Sequence, residues 1–254
     1  MTARAKNAAA KIIFVTGTDT GVGKTLLASL LLVHLRKAGC HALAMKPFCS
    51  GGREDVRFLG ALQDGELQAE EICPFHFTEP VAPLVAGRMH RRRIRLTEVL
   101  DRIRKLTLRC ERLIVEGSGG LFVPLGEGYT VADLIGRLHC SVVVVARNRL
   151  GTLNHTLLTA RALRAMGVSR LQVAVMNGTR SDLSSRSNIR VLRRLLTPAK
   201  VFCIPSFGAD ASRPEAVKRN YKKVKKTLAQ LAEAGNLWPV PSNIEEPTGQ
   251  RKAC

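Results

Sequence analysis

Residues 11–32, KIIFVTGTDTGVGKTLLASLLL, constrain this chain more than any other stretch. An apolar, β-branched run enters a glycine-rich turn, meets Gly-Lys-Thr and leaves as an amphipathic helix. Strand, glycine turn and helix in that order are the setting in which a loop becomes a phosphate cradle. Gly21 and Gly23 let backbone N–H groups turn inward without a Cβ clash, and the following helix N-terminus adds its partial positive charge to the anion site. On this reading Thr18, Asp19, Thr20, Gly21, Val22 and Gly23 wrap the phosphates of ATP, Lys24 reaches the β- and γ-phosphates, and the Thr25 hydroxyl ligates Mg²⁺. A strict GxxxxGK[ST] motif needs glycine at position 18. This chain has Thr18 there and carries its glycine one residue earlier, at Gly17.

The rest of the chain repeats the alternation. Ile12 to Thr16, Ala42 to Met45, Leu113 to Val115, Val142 to Ala146, Leu171 to Met176 and Val201 to Ile204 are short apolar runs of the kind that form parallel strands buried on both faces. Between them, Thr25 to Lys37, Thr97 to Arg109, Leu153 to Met166 and Ser187 to Leu196 have helical spacing, and Gly39 and Gly167 sit where helix ends want glycine. The expectation is an α/β fold with a doubly wound, mainly parallel sheet and helices on both faces, its ligands outside the carboxyl ends of the strands. One domain over 11–238 is expected, with a disordered extension at 1–10 and a flexible tail at 239–254 rich in Pro, Glu, Ser and Lys.

Two further stretches carry chemistry at strand ends. In LIVEGSGG, residues 113–120, Glu116 ends a buried run before a glycine turn, where a carboxylate beside the phosphate loop helps hold the metal. In MKPFCSGG, residues 45–52, Lys46 leaves the second run and can neutralise an anionic substrate, while Asp55 can complete the metal site with Thr25 and Glu116.

The formal charge of +20 raises the question of nucleic acid, yet the cations are mostly scattered. Their two clusters are Arg91-Arg92-Arg93 and the group Lys222, Lys223, Lys225, Lys226; Val224, Leu228 and Leu231 turn the second into one face of an amphipathic helix, a solvated surface rather than a nucleic-acid site. Seven cysteines, without CxxC or metal spacing, read as free thiols in a reducing cytoplasm. No apolar run is long enough for a membrane span.

Six segments in order resemble the dethiobiotin synthetase family: GTDTGVGKT (17–25), KPFCSG (46–51), PFHFTEPVAP (74–83), VEGSGGLFVPL (115–125), RLGTLNHTLLTARAL (149–163) and MNGT (176–179). The early glycine of the loop is also a feature of that family. The resemblance implies an ATP-dependent ligase of biotin biosynthesis, inserting CO₂ between the amines of 7,8-diaminononanoate through a carbamate and a carbamic-phosphoric anhydride. It implies that Thr20 and Lys24 contact the transferring phosphoryl group, that Thr25, Asp55 and Glu116 hold Mg²⁺, and that Lys46 and Ser50 bind the carbamate and diamine. Gly119 joins the substrate site, Gly151 to Asn154 bind the substrate carboxylate across a homodimer interface, and Asn177 and Pro205 flank the adenine. Between Gly52 and Asp55 this chain is shorter than members with a long loop, which bears on the metal role of Asp55, and residues 206–254 show little resemblance.

Two other readings compete. An amidoligase of the cobyrinate type shares the fold but normally continues into an amidotransferase domain, for which 254 residues leave no room. A partition or positioning ATPase would use the basic surface for DNA or membrane, but such proteins carry a second lysine near the start of the loop, where this chain has Asp19.

Overall fold

In the computed structural model, which describes residues 11–180, 182–208, 211 and 213–234, all six apolar runs become strands of one sheet. The extension at 1–10 and the tail at 239–254 lie outside the described residues. The chain runs β1 (Ile12–Gly17), α1 (Lys24–Lys37), β2 (Ala42–Met45), β3 (Phe48–Ser50), α2 (Glu54–Ala61), α3 (Ala69–Ile72), β4 (Phe75–Phe77), α4 (Pro83–Met89), α5 (Leu96–Thr107) and β5 (Arg112–Gly120). It continues through β6 (Pro124–Gly126), β7 (Tyr129–Thr130), α6 (Val131–Arg137), β8 (Cys140–Arg147), α7 (Thr152–Ala165), β9 (Leu171–Met176), α8 (Ser185–Leu195), β10 (Val201–Ile204) and α9 (Pro214–Ala234).

The sheet order is β10-β9-β8-β1-β5-β2, with every pairing parallel. Helices cover both faces, so Ile13 to Val15 and Val142 to Val145 are buried without alternation. β1 lies between β5 and β8, so its loop opens where connections depart to opposite sides, the crevice in which such sheets bind ligands.

α1 packs between the sheet and α9. Val217, Tyr221, Val224, Leu228 and Leu231 form the buried stripe of α9, each apolar side chain contributing about 1.5–3 kcal/mol by burial. Lys222, Lys223, Lys225 and Lys226 are exposed on its other side, as a solvated face requires. Among the described residues no helix is long and apolar enough to cross a membrane.

The four expected helices begin and end within two residues of those observed. Two features differ from expectation. Glu116 does not end its strand: β5 continues through Ser118 to Gly120, because β1 keeps pairing with it as far as Gly17 opposite Gly120. The connection between β2 and β5 is also richer than a single crossover. It holds α2, α3, α4 and a two-stranded parallel ribbon of β3 and β4, elements of three to eight residues that are too short to print a period.

Candidate active site

The phosphate loop is set by two glycines. A Cβ on Gly17 would lie 2.8 Å from the Asp19 carbonyl oxygen and 3.0 Å from Lys24 Nζ, so the loop folds back over this position only if it is glycine. Gly23, the N-cap of α1, has φ of 101°, a left-handed turn that also brings it against Met176. Thr18 N–H donates to the Val145 carbonyl at 2.9 Å, tying the loop to the β8 end. Lys24 is the first residue of α1 and is buried, its ammonium donating to the Asp19 carbonyl at 2.9 Å. Burial lowers its pKa to about 8, and the neighbouring Lys46 lowers it too, against the attraction of Glu116.

Opposite the loop stands a charged cluster. Glu116, only 1% exposed, accepts from Thr25 Oγ1 at 2.8 Å and from Lys46 Nζ at 2.9 Å through the same oxygen, Oε1. Lys46 also donates to Asp55, near the start of α2. The short Gly52 to Asp55 connection therefore delivers Asp55 to the site. Burial by itself would lower the Lys46 ammonium, but Glu116 and Asp55 outweigh it and hold the pKa above its ordinary value.

Loop and cluster share a cavity of about 730 Å³ lined by Thr20, Gly21, Lys24, Thr25, Lys46, Ser50, Asp55, Glu116 and Gly119. Two buried oxygens there, Glu116 Oε2 and Ser50 Oγ, have no hydrogen-bond partner. Buried polar atoms left this way in a cleft mark a place built for a ligand. The cavity also takes in Glu54, Cys49 and Pro80 to Pro83, which the sequence reading did not assign to the site. Only the segment PFHFTEPVAP signalled the prolines, and nothing local signalled Glu54.

A model of an AAA-domain family matches residues 11–209. The chain is 44% identical over 174 residues to the ATP-dependent dethiobiotin synthetase BioD of Anaeromyxobacter sp. strain Fw109-5, covering 67% of this chain and 78% of that one. It is 41% identical over 214 residues to the BioD of Bacillus licheniformis, covering 81% and 88%. The chain belongs to the dethiobiotin synthetase family. Among solved structures it is similar to MinD from the MinC:MinD cell division complex of Aquifex aeolicus, with a TM-score of 0.61 over 92% of this chain and 98% of that one at 14% identity. That likeness concerns the fold alone.

The other positions singled out by resemblance to dethiobiotin synthetases lie around the same crevice but outside the cavity. Asn177 follows β9 and Pro205 follows β10, on the far side of the loop from Lys46. Asn177 Oδ1 accepts from Asn148 Nδ2 at 2.8 Å, its N–H donates to the Ile204 carbonyl at 2.9 Å, and Asn148 Oδ1 accepts from buried Asn188 at 3.0 Å. Asn148 and Asn188 thus hold Asn177 in place. Sequence reading passed over both, since a single asparagine, whether just after β8 or inside α8, has no periodic signature. Gly151, with φ of 91°, caps α7, and exposed Asn154 stands in the first turn. An open groove of about 630 Å³ runs from Thr18 to Thr20 along Phe122 to Pro124 and reaches Leu158 of α7.

Proposed function

We propose that the chain closes the ureido ring of dethiobiotin from 7,8-diaminononanoate, CO₂ and ATP. The observation that carries this reading is Lys46, held between Asp55 and Glu116 and facing Lys24 and Thr25 across one cavity. A carbamate formed on one amine is anionic and a poor electrophile. Lys46 and the unpartnered Ser50 hydroxyl bind and orient it beside the loop, with Gly119 lining the same cavity. Its oxygen then attacks the γ-phosphorus, displacing ADP and giving a carbamic-phosphoric anhydride. The second amine attacks the carbamoyl carbon, phosphate leaves, and the ring closes. Lys24, with Thr20 beside it, meets the charge that builds on the transferring phosphoryl oxygens. Positioning and charge neutralisation dominate such transfers, which suits a cavity whose working groups are fixed cations and backbone N–H groups.

The donor set fits Mg²⁺. Thr25 Oγ1, Asp55 and Glu116, with its spare Oε2, are hard oxygen ligands, and two carboxylates and a hydroxyl leave coordination positions for phosphate oxygens and water. Among the described residues no group of three or more His, Cys, Asp and Glu gathers that could hold a metal ion by itself. When bound, Mg²⁺ would neutralise charge on the β- and γ-phosphates.

The asparagine lattice at the β9 and β10 ends supports an adenine site between Asn177 and Pro205. Phe122 and Leu158, on the open groove, are 65% and 60% exposed, and Leu150, just before α7, is 81% exposed. A second copy covering them would make the homodimer, with the N-terminus of α7 at Gly151 to Asn154 offering its dipole to the substrate carboxylate. Sedimentation at micromolar protein tests the dimer, and a monomer would remove it. A cytoplasmic location accords with a biosynthetic enzyme rich in free thiols.

The deciding experiment is mass-spectrometric detection of dethiobiotin from the purified chain with ATP, Mg²⁺, bicarbonate and 7,8-diaminononanoate, each omitted in turn. Product that needs all four is expected. ATP hydrolysis without it, stimulated by DNA, would return the chain to the partition-ATPase reading.

A further inference from the structure

The run Arg91-Arg92-Arg93 plays no part in the reaction above. It lines a second cavity, of about 480 Å³, between α4 and the hairpin of β6 and β7, a volume within the roughly 300–1,000 Å³ of small-molecule sites. That cavity shares only Pro83 with the lining of the catalytic one. Arg88 joins the three arginines on its wall, against a single carboxylate, Glu127. Glu127 is taken by Arg88, which meets it with two parallel hydrogen bonds of 2.8 and 3.0 Å. Among the described residues Arg91, Arg92 and Arg93 have no carboxylate within salt-bridge distance; Arg92 lies over the Phe75 ring at 5.5 Å. The apolar part of the lining comes from buried Ile94 and Leu125 and half-buried Leu84, while the three arginines are themselves exposed at its rim.

The arginines stand on a built turn. Arg92 N–H donates to the Gly87 carbonyl at 2.8 Å and Arg91 N–H to the Arg88 carbonyl at 3.1 Å, the paired bonds that cap a helix C-terminus. Arg91 fills the left-handed position of that cap, with φ of 50°, where glycine is the favoured residue. Gly87 permits the turn, since a Cβ there would lie 2.7 Å from the Arg92 carbonyl oxygen. At the far end, Tyr129 Oη donates to the Ile94 carbonyl at 3.1 Å and fastens the run to the hairpin. An arginine at a glycine position, in a cavity where four arginines meet one carboxylate, serves charge rather than stability.

We propose that this cavity is a binding site for a small anion carrying two linked phosphates, held by Arg91, Arg92 and Arg93. Guanidinium forks match phosphate oxygens two at a time, and linked phosphates span more than one fork.

The probe is inorganic pyrophosphate, titrated by calorimetry at matched ionic strength into the full chain carrying Lys24→Ala, which disables the phosphate loop. Saturable binding at one site is expected. Adding Arg91→Gly and Arg93→Ser should weaken it at least 10-fold, while Lys222→Ser and Lys223→Ser, which remove the same charge from α9, should leave it within 2-fold. Arg91→Gly alone should weaken pyrophosphate while raising Tm by on the order of 2–4 °C, so lost binding cannot be lost folding. Competition by ADP would extend the site to nucleoside diphosphates, and failure to compete would confine it to the inorganic ion. Absence of saturable binding, equal weakening by the α9 changes, or an RNA oligonucleotide bound where pyrophosphate is not would each overturn the proposal.

Discussion

The two walls of the cavity proposed as catalytic solve opposite electrostatic problems. On the phosphate-loop wall, Lys24 is buried and touches only a backbone carbonyl, so desolvation pulls its pKa to about 8. On the facing wall, Lys46 is equally enclosed but lies between two carboxylates, which hold its pKa above the ordinary value. The first wall holds a cation without a counterion, suited to an incoming polyphosphate. The second is neutralised from within, and on the proposed reading it would rearrange when a metal and an anionic substrate compete for Asp55, Glu116 and Lys46. An identical residue type is thus left without a carboxylate partner in one place and paired with two in the other.

Replacing each lysine with alanine tests this contrast most strongly. Both changes should cut turnover by about 10²–10³-fold or more, since each removes a donor aimed at developing or substrate charge. Their effects on folding should part. Lys24→Ala relieves a desolvated cation and should keep or raise Tm. Lys46→Ala leaves Glu116 buried without its cation and should cost about 3 kcal/mol of stability, with millimolar Mg²⁺ restoring part of it. Thermal melts with and without Mg²⁺ read the difference, and equal Tm changes in the two variants would erase the contrast.

Glu116→Gln sharpens the second wall alone. It should raise the Mg²⁺ concentration for half-maximal activity by at least about 10–100-fold, the range seen when even a supporting partner of a metal site is removed. ATP affinity measured without metal should hardly move. A change in metal-free nucleotide binding would mean that Glu116 serves the loop instead.

The smallest effect is on pH. Because Lys24 folds with a pKa below the unfolded 10.5, its charge destabilises the fold in full below pH about 8. That penalty lifts between about 8 and 10.5, where the unfolded chain keeps a proton that the folded one has released. Nucleotide phosphate favours the charged form, so binding near pH 8 should take up a fraction of a proton and affinity should fall at higher pH. Calorimetry in two buffers of different ionisation enthalpy measures the uptake, which Lys24→Ala should abolish.

How much of this was legible beforehand follows from the kind of signal each part carries. The six sheet strands and the four helices assigned between them were readable because strands buried on both faces print continuous apolar runs and helices print a 3.6-residue stripe. Gly17, Lys24 and Thr25 were readable because a phosphate loop is contiguous. The short ribbon of β3 and β4, the position of Glu116 inside β5, and the Asn148, Asn177 and Asn188 lattice were not, since their partners lie dozens of residues away. The sequence by itself determined the layered α/β order and the phosphate cradle, both consequences of local spacing. Only tertiary structure decided that Asp55 reaches Lys46 and that Lys24 stays without a carboxylate, because charge balance in a buried cavity depends on which distant chain segments the sheet brings within hydrogen-bond reach.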